Sequence, residues 1–156
     1  MSGLQGSWRE VLCFTVPGRP VGKARARVGR GRAYTPQRTV EEEQAWEVAA
    51  FDAMRGSLPR VCLTGPVRFE MDAYYPVPKS WSKAKQLLAL SGHLRPCVKP
   101  DLDNVAKLKD ALKGLVWQDD AQVVSEAAEK WYSAEPRVEV RILVPEERRR
   151  LTLGTG

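Results

Sequence analysis

Histidine occurs once in the 156 residues, at His93, and cysteine three times, at Cys13, Cys62 and Cys97. No two cysteines share a C-x-x-C spacing, and zinc sites draw on several His or Cys ligands, so neither a zinc centre nor a disulfide framework follows. Such usage fits a reducing compartment. Long apolar runs are missing as well. Nothing approaches the roughly 18 residues of a membrane span, and Met1 to Ser7 lack the basic start and apolar stretch of a secretory signal. The expectation is a soluble cytoplasmic protein with no membrane partner. A third shortage is local: between Val11 and Val40 there is no acid at all, while Arg19, Lys23, Arg25, Arg27, Arg30, Arg32 and Arg38 all occur there.

That all-positive stretch dominates a formal charge of +6. With glycine interspersed, it reads as a surface that tracks phosphates, Lys23, Arg25, Arg27, Arg30 and Arg32 being the candidate DNA contacts. A solvated basic loop is the alternative. The length suits one domain with a real core, and no internal repeat or low-complexity tract is present.

Periodicity supplies the elements. Trp8 to Val16 reads as a strand with Trp8, Leu12, Phe14 and Val16 on one face, Cys13 being expected in the core. Arg19 to Tyr34 reads as a short hairpin or a flexible loop. Thr35-Pro36 starts a helix, with Thr39 and Glu42 as an alternative capping box, and Trp46, Ala49, Ala50, Ala53 and Met54 point inward up to Gly56. Ser57 to Gly65 is a loop. From Val67 to Tyr75 apolar residues alternate with Arg68, Glu70, Asp72 and Tyr74, so Glu70 and Asp72 belong to a solvated face. Ser80 caps a short helix from Trp81 to about Leu90. His93 follows in a loop, where an incidental role outweighs a catalytic one. Residues 122–132 fit helix or strand, and Arg137 to Val144 is a clean strand. Residues 146–156 lack apolar periodicity and form a flexible tail, leaving 1–145 as the domain.

Between these elements lies the segment from Lys99 to Val124. Pro100 disfavours the α region for Lys99, so a helix begins just after it, with Asp101 as N-cap and Asp103 in the first turn. Leu102, Val105, Leu108 and Leu112 give its buried side, Gly114 its end. Asp103, Lys107 and Asp110 share the polar face. Two carboxylates at a helix start are hard oxygen ligands. A third from Asp119-Asp120 completes a Mg²⁺ site, and Lys107 stands ready to stabilise developing negative charge. These are the parts of metal-assisted phosphodiester hydrolysis. The same residues have a purely structural reading as helix cap, dipole partner, i,i+4 pair and turn residues.

The motifs Lys99-Pro100, Asp101-Leu102-Asp103-Asn104, Lys107, Asp110-Ala111-Leu112 and Asp119-Asp120-Ala121-Gln122-Val123 together resemble the RusA family of Holliday-junction endonucleases. The N-terminal PGRPVGKARARVGRGRAYTP and the central YYPVPKSWSKAK are similar too, so the likeness covers most of residues 10–144. It tips residues 122–132 to a strand, and the resulting order β, basic loop, α, β, α, α, β, β suggests an α+β fold, a single domain with a mixed sheet of about four strands and helices packed on it. The resemblance implies metal coordination by Asp101, Asp103 and Asp120, with Lys107 as an essential catalytic side chain. Asp119 is adjacent, so the choice within that pair stays open. The resulting expectation is a Mg²⁺-dependent (or Mn²⁺-dependent) endodeoxyribonuclease that resolves branched, four-way DNA as a homodimer, intracellular and encoded by a bacterium or phage. The rivals are a non-catalytic basic DNA-binding protein and a nuclease acting on flap or linear duplex DNA.

Overall fold

Alternation writes the sheet. In β4 (Val67–Pro76) Val67, Phe69, Met71, Ala73 and Tyr75 are all buried. In β6 (Arg137–Pro145) Val138, Val140 and Ile142 do the same. These inward residues, with Leu12, Phe14 and Val16 of β1 (Trp8–Pro17), form one apolar face. A computed structural model describes residues 6–57 and 62–146. Its main sheet has the order β1-β6-β4-β5, with β5 spanning Val123–Ser133. β6 runs antiparallel to both β1 and β4, whereas β4 and β5 are parallel. A parallel pair cannot be joined by a tight turn. The connection from residue 77 to 122 therefore crosses over, carrying α2 (Lys83–Leu90), α3 (Leu102–Ala106) and two 3-10 turns, Lys107–Leu112 and Asp120–Gln122. Every acid proposed for chemistry lies in that crossover.

The long helix α1 (Gln37–Ser57) packs on β1 and on the first 3-10 turn. Its Trp46 is completely buried between Phe14, edge-on at 6.0 Å, and Phe69, stacked at 6.3 Å. The expected α+β domain with a four-stranded mixed sheet is thus present, and of the segment 122–132 all but Gln122, which ends the second 3-10 turn, lies in β5. No helix of the described residues is long and apolar enough to cross a membrane.

Several boundaries differ from the sequence reading, each for a local reason. Cys13 is exposed, because Leu12 and Phe14 take the inward positions on either side of it. A bulge between Glu10 and Leu12 shifts the register, and Trp8 is only half-buried. α1 begins after Pro36, whose carbonyl accepts from Thr39 and Val40. Thr39 is buried, and its hydroxyl accepts from the Ala24 amide (3.1 Å), pinning the basic segment to α1. α2 is capped by Ser82 rather than Ser80, through its side chain and the Lys85 amide.

Glu70 and Asp72 are not simply solvated. Asp72 accepts from Trp131 Nε1 (2.9 Å) and from Arg141 (3.1 Å), and Glu70 lies 3.7 Å from Arg68, so the outer sheet face is a half-buried ion network. The basic stretch does contain a hairpin, β2 (Arg27–Gly29) with β3 (Arg32–Tyr34). Arg30 and Gly31 both have positive φ (49° and 76°), the two-residue turn that matches strand twist. Of the loop expected at 57–65 and the tail at 146–156, residues 58–61 and 147–156 lie outside the described residues. Glu146 itself donates its amide to the Ser7 carbonyl at 3.0 Å.

Candidate active site

Asp101 occupies the N-cap of α3 in extended conformation (φ −64°, ψ 144°), yet its side chain makes no capping hydrogen bond. A capping aspartate accepts from the N2 or N3 amide; this exposed carboxylate is left for other partners. Asp103, in the first turn, has 80% of its side chain exposed and lies 3.1 Å from Lys107 Nζ. Lys107 also reaches Asn104 Oδ1 at 3.5 Å. The helix expected to run on to Leu112 tightens to 3-10 after Ala106, although Val105, Leu108 and Leu112 are all buried as anticipated. Asp110 pairs with Lys23 (3.3 Å) rather than with Lys107. Gly114 has the positive φ (82°) that the turn requires.

Three contacts fix this helix start. Tyr75, at the end of β4, is buried and donates its hydroxyl to the Pro100 carbonyl at 2.6 Å, directly before Asp101. The peptide bond between Lys99 and Pro100 is cis. Gly22 lies so close that a Cβ there would stand 3.0 Å from Pro100 Cβ and 3.2 Å from Asn104 Cβ. The Lys23 amide then donates to the Asn104 carbonyl at 2.8 Å. The basic segment is thereby laid against the acidic one.

Burial, reinforced by the charge of Asp101 and opposed by Arg19, pushes the Tyr75 phenol from 10.0 up to about 12. A raised phenol favours the protonated folded state, so the stabilisation is complete below about pH 10 and is lost as pH climbs through about 12. In an alkaline titration followed by phenolate absorption, where burial holds Tyr74 and Tyr132 above the ordinary range as well, a step near pH 12 should appear that Tyr75→Phe removes. Loss of its hydrogen bond should cost about 1 kcal/mol.

The second acid pair separates into two roles. Asp119 caps the turn Asp120–Gln122: its Oδ1 accepts from the Ala121 amide at 2.8 Å, and Gln122 Oε1 accepts from the Asp119 amide at 2.8 Å. Gln122 also ties the turn to the Leu63 and Gly65 carbonyls. Asp120 is half-buried, and its Oδ1 accepts from Nε1 of the fully buried Trp117 at 2.9 Å. That bond aims the carboxylate and leaves its second oxygen available. The sequence reading did not single out Trp117, although a tryptophan three residues before an acid is a readable cue.

Among the described residues, no three His, Cys, Asp or Glu side chains form a group that could hold one metal ion. The chain as folded does not gather Asp101, Asp103 and Asp120 around a shared centre. The donor chemistry nevertheless fits a hard cation. Asp101 and Asp103 are exposed oxygen donors at one helix start, and Mg²⁺ typically takes only one or two protein carboxylates, filling its other positions with water and phosphate oxygen.

Beside this helix start opens a cleft of about 610 Å³, lined by Arg19, Lys23, Arg27, Arg38, Lys99 and Asp101 among others. Five cations against one acid give it a strongly positive lining, the kind that attracts phosphate. Arg19, Arg38 and Lys99 were absent from the DNA-contact set read from sequence, though Arg19 and Arg38 fall in the acid-free stretch. Lys23 lines the cleft but is already paired with Glu43 (3.0 Å) and Asp110. Burial works to lower its pKa, but those hydrogen bonds and charges win and raise it above 10.5. Arg25, Arg30 and Arg32 are exposed, the last two on the hairpin. His93 sits apart, hydrogen-bonded through Nδ1 to Ser91 Oγ (2.7 Å) after α2.

A protein of Bacillus subtilis (strain 168) bearing the description "Uncharacterized protein YqaN" is 40% identical over 136 residues, covering 85% of this chain and 96% of that protein. Residues 17–143 match the family model described as endodeoxyribonuclease RusA, a span that contains the basic cleft, α3 and the Trp117–Asp120 turn. The chain belongs to the RusA family of endodeoxyribonucleases.

Proposed function

We propose that the protein resolves four-way DNA junctions by Mg²⁺-dependent hydrolysis of paired phosphodiesters, in recombination and repair. The observation that carries this reading is the uncapped Asp101 carboxylate beside the Asp103–Lys107 pair, at the mouth of a basic cleft. A residue placed as a cap that does not cap argues against the purely structural account of the DxD motif.

Asp101, Asp103 and Asp120 would hold the cation, which when bound lowers the pKa of a coordinated water and neutralises phosphate charge. Asp120 lies on a separate turn and is not gathered with the other two in the chain as folded; its hydrogen bond from Trp117 orients the carboxylate it would offer as third ligand. Lys107 neutralises charge on the transferring phosphoryl group. The cleft arginines and Lys99, with the exposed Arg25, Arg30 and Arg32, seat the DNA backbone. Lys23 anchors the loop to α1 and the 3-10 turn, and contributes its charge through them. Two symmetric strands need two sites, so the working unit is a homodimer, and residues 1–145 make up its endonuclease domain.

The test is incubation of purified protein and Mg²⁺ with a four-way junction, a flap and a linear duplex of matched sequence. Symmetric paired cuts confined to the junction are expected, and Mn²⁺ should substitute. Equal cutting of linear duplex removes the junction assignment, and binding without any metal-dependent cutting removes the nuclease assignment for this chain.

A further inference from the structure

In the β2–β3 hairpin, Arg27 pairs with Tyr34 and Gly29 with Arg32, so all four residues share one face. Gly29 has no side chain, and the Tyr34 ring fills its place: a Cβ on Gly29 would stand 3.1 Å from Tyr34 Cε1 and 3.7 Å from Cδ1. One side of the ring therefore rests on glycine backbone, while Tyr34 as a whole is 51% exposed. An exposed aromatic held in place this way, with Arg27 and Arg32 as its neighbours on the same face of the hairpin, has the make-up of a nucleic-acid stacking surface. Arg27 also lines the cleft that contains Asp101, so the hairpin continues the surface on which the backbone is seated.

We infer that Tyr34 is a stacking platform for a base face exposed at the branch point of DNA, with Arg27 and Arg32 holding the adjoining phosphates. Within a linear duplex each base is covered on both sides by its neighbours and offers the ring nothing. At a four-way junction the continuous stack is interrupted, and base faces become available at the crossover. The platform is thus a selectivity device for branched over linear DNA, and it rests on the reading of DNA junctions as substrate.

The experiment uses the full chain with Ca²⁺ in place of Mg²⁺, a four-way junction carrying 2-aminopurine at the branch point, and a linear duplex of the same sequence. Tyr34→Phe keeps the ring, and Tyr34→Thr removes it while retaining a strand-forming residue. Wild type and Tyr34→Phe should bind the junction about tenfold more tightly than Tyr34→Thr, the scale of one base–aromatic stack. All three should bind linear duplex alike, and only the two ring-bearing proteins should quench 2-aminopurine emission. Equal junction binding by Tyr34→Thr, an equal loss on both DNAs, or unchanged emission overturns the platform. The same wild-type protein assayed for cleavage in Mg²⁺ separates the two readings. Junction cleavage with no effect of Tyr34→Thr defeats the platform alone, whereas no preference for the junction defeats both.

Discussion

Asp103→Asn is expected to reduce junction cleavage by more than about a hundredfold while leaving junction affinity equal to wild type or higher. The magnitude follows from metal sites, where even the partners that merely orient a ligand are worth 10- to 100-fold. Little else should change. Asparagine has nearly the same shape, and Asp103 has 80% of its side chain in solvent. Its pair with Lys107 is a surface ion pair of the kind that contributes little stability, and a first-turn acid adds only about 0.3 to 1 kcal/mol through the helix dipole. Removing a negative charge beside the basic cleft also lessens repulsion of phosphate, which is why binding should hold or improve. Cleavage of a labelled junction in Mg²⁺, binding in its absence and a melting curve together decide the matter. Asp119→Ala supplies the contrast: its carboxylate is spent on the capping box, so it should cost about 1 kcal/mol of stability and far less activity. Full cleavage by Asp103→Asn would remove the acid from the chemistry.

Trp117→Ala should be the most destabilising single change at the site, by about 3 to 5 kcal/mol. Trp117 is wholly buried, and its one donor is used on Asp120. In a domain of this size the melting temperature should fall by roughly 6 to 20 °C. Trp117→Phe isolates the second role, since it keeps most of the ring volume but strips Asp120 of its partner. Trp46→Phe is the natural control: Trp46 is equally buried, but its Nε1 has no hydrogen-bond partner among the described residues. Calorimetry should show both phenylalanine variants folded, and junction cleavage should fall in Trp117→Phe while surviving in Trp46→Phe. Equal activity of the two would mean that Trp117 serves the core and not the carboxylate.

What the sequence disclosed was whatever depends on short spacing. The alternation through β4 and β6 is visible residue by residue, as are the buried side of the acidic helix and the positive-φ glycine that ends its second half. Cys13 was misread because its apolar neighbours suggested a buried run, whereas the pleat sends alternate residues outward whatever their character. The long-range pairings were hidden. Lys23 meets Glu43 and Asp110, residues far from it in sequence, and although it is the one lysine among the arginines of the basic stretch, that difference does not name its partners. The DxD and DD motifs were readable as motifs, but their separation in space depends on how the crossover folds back between β4 and β5, which no local pattern encodes. The uncapped state of Asp101 is likewise a property of geometry and not of residue type.

The position of β6 has a consequence for biosynthesis. This strand, ending at Pro145, sits between β1 and β4, so among the described strands β1 pairs only with β6, Trp8 opposite Pro145. While the ribosome is still short of Arg137, β1 has no neighbour and β4 has only β5. Contacts of such high sequence separation form late and slowly. A chain that stops before Arg137 therefore carries the DxD and DD motifs without the strand that joins β1 to β4, and is expected not to fold the sheet that supports them.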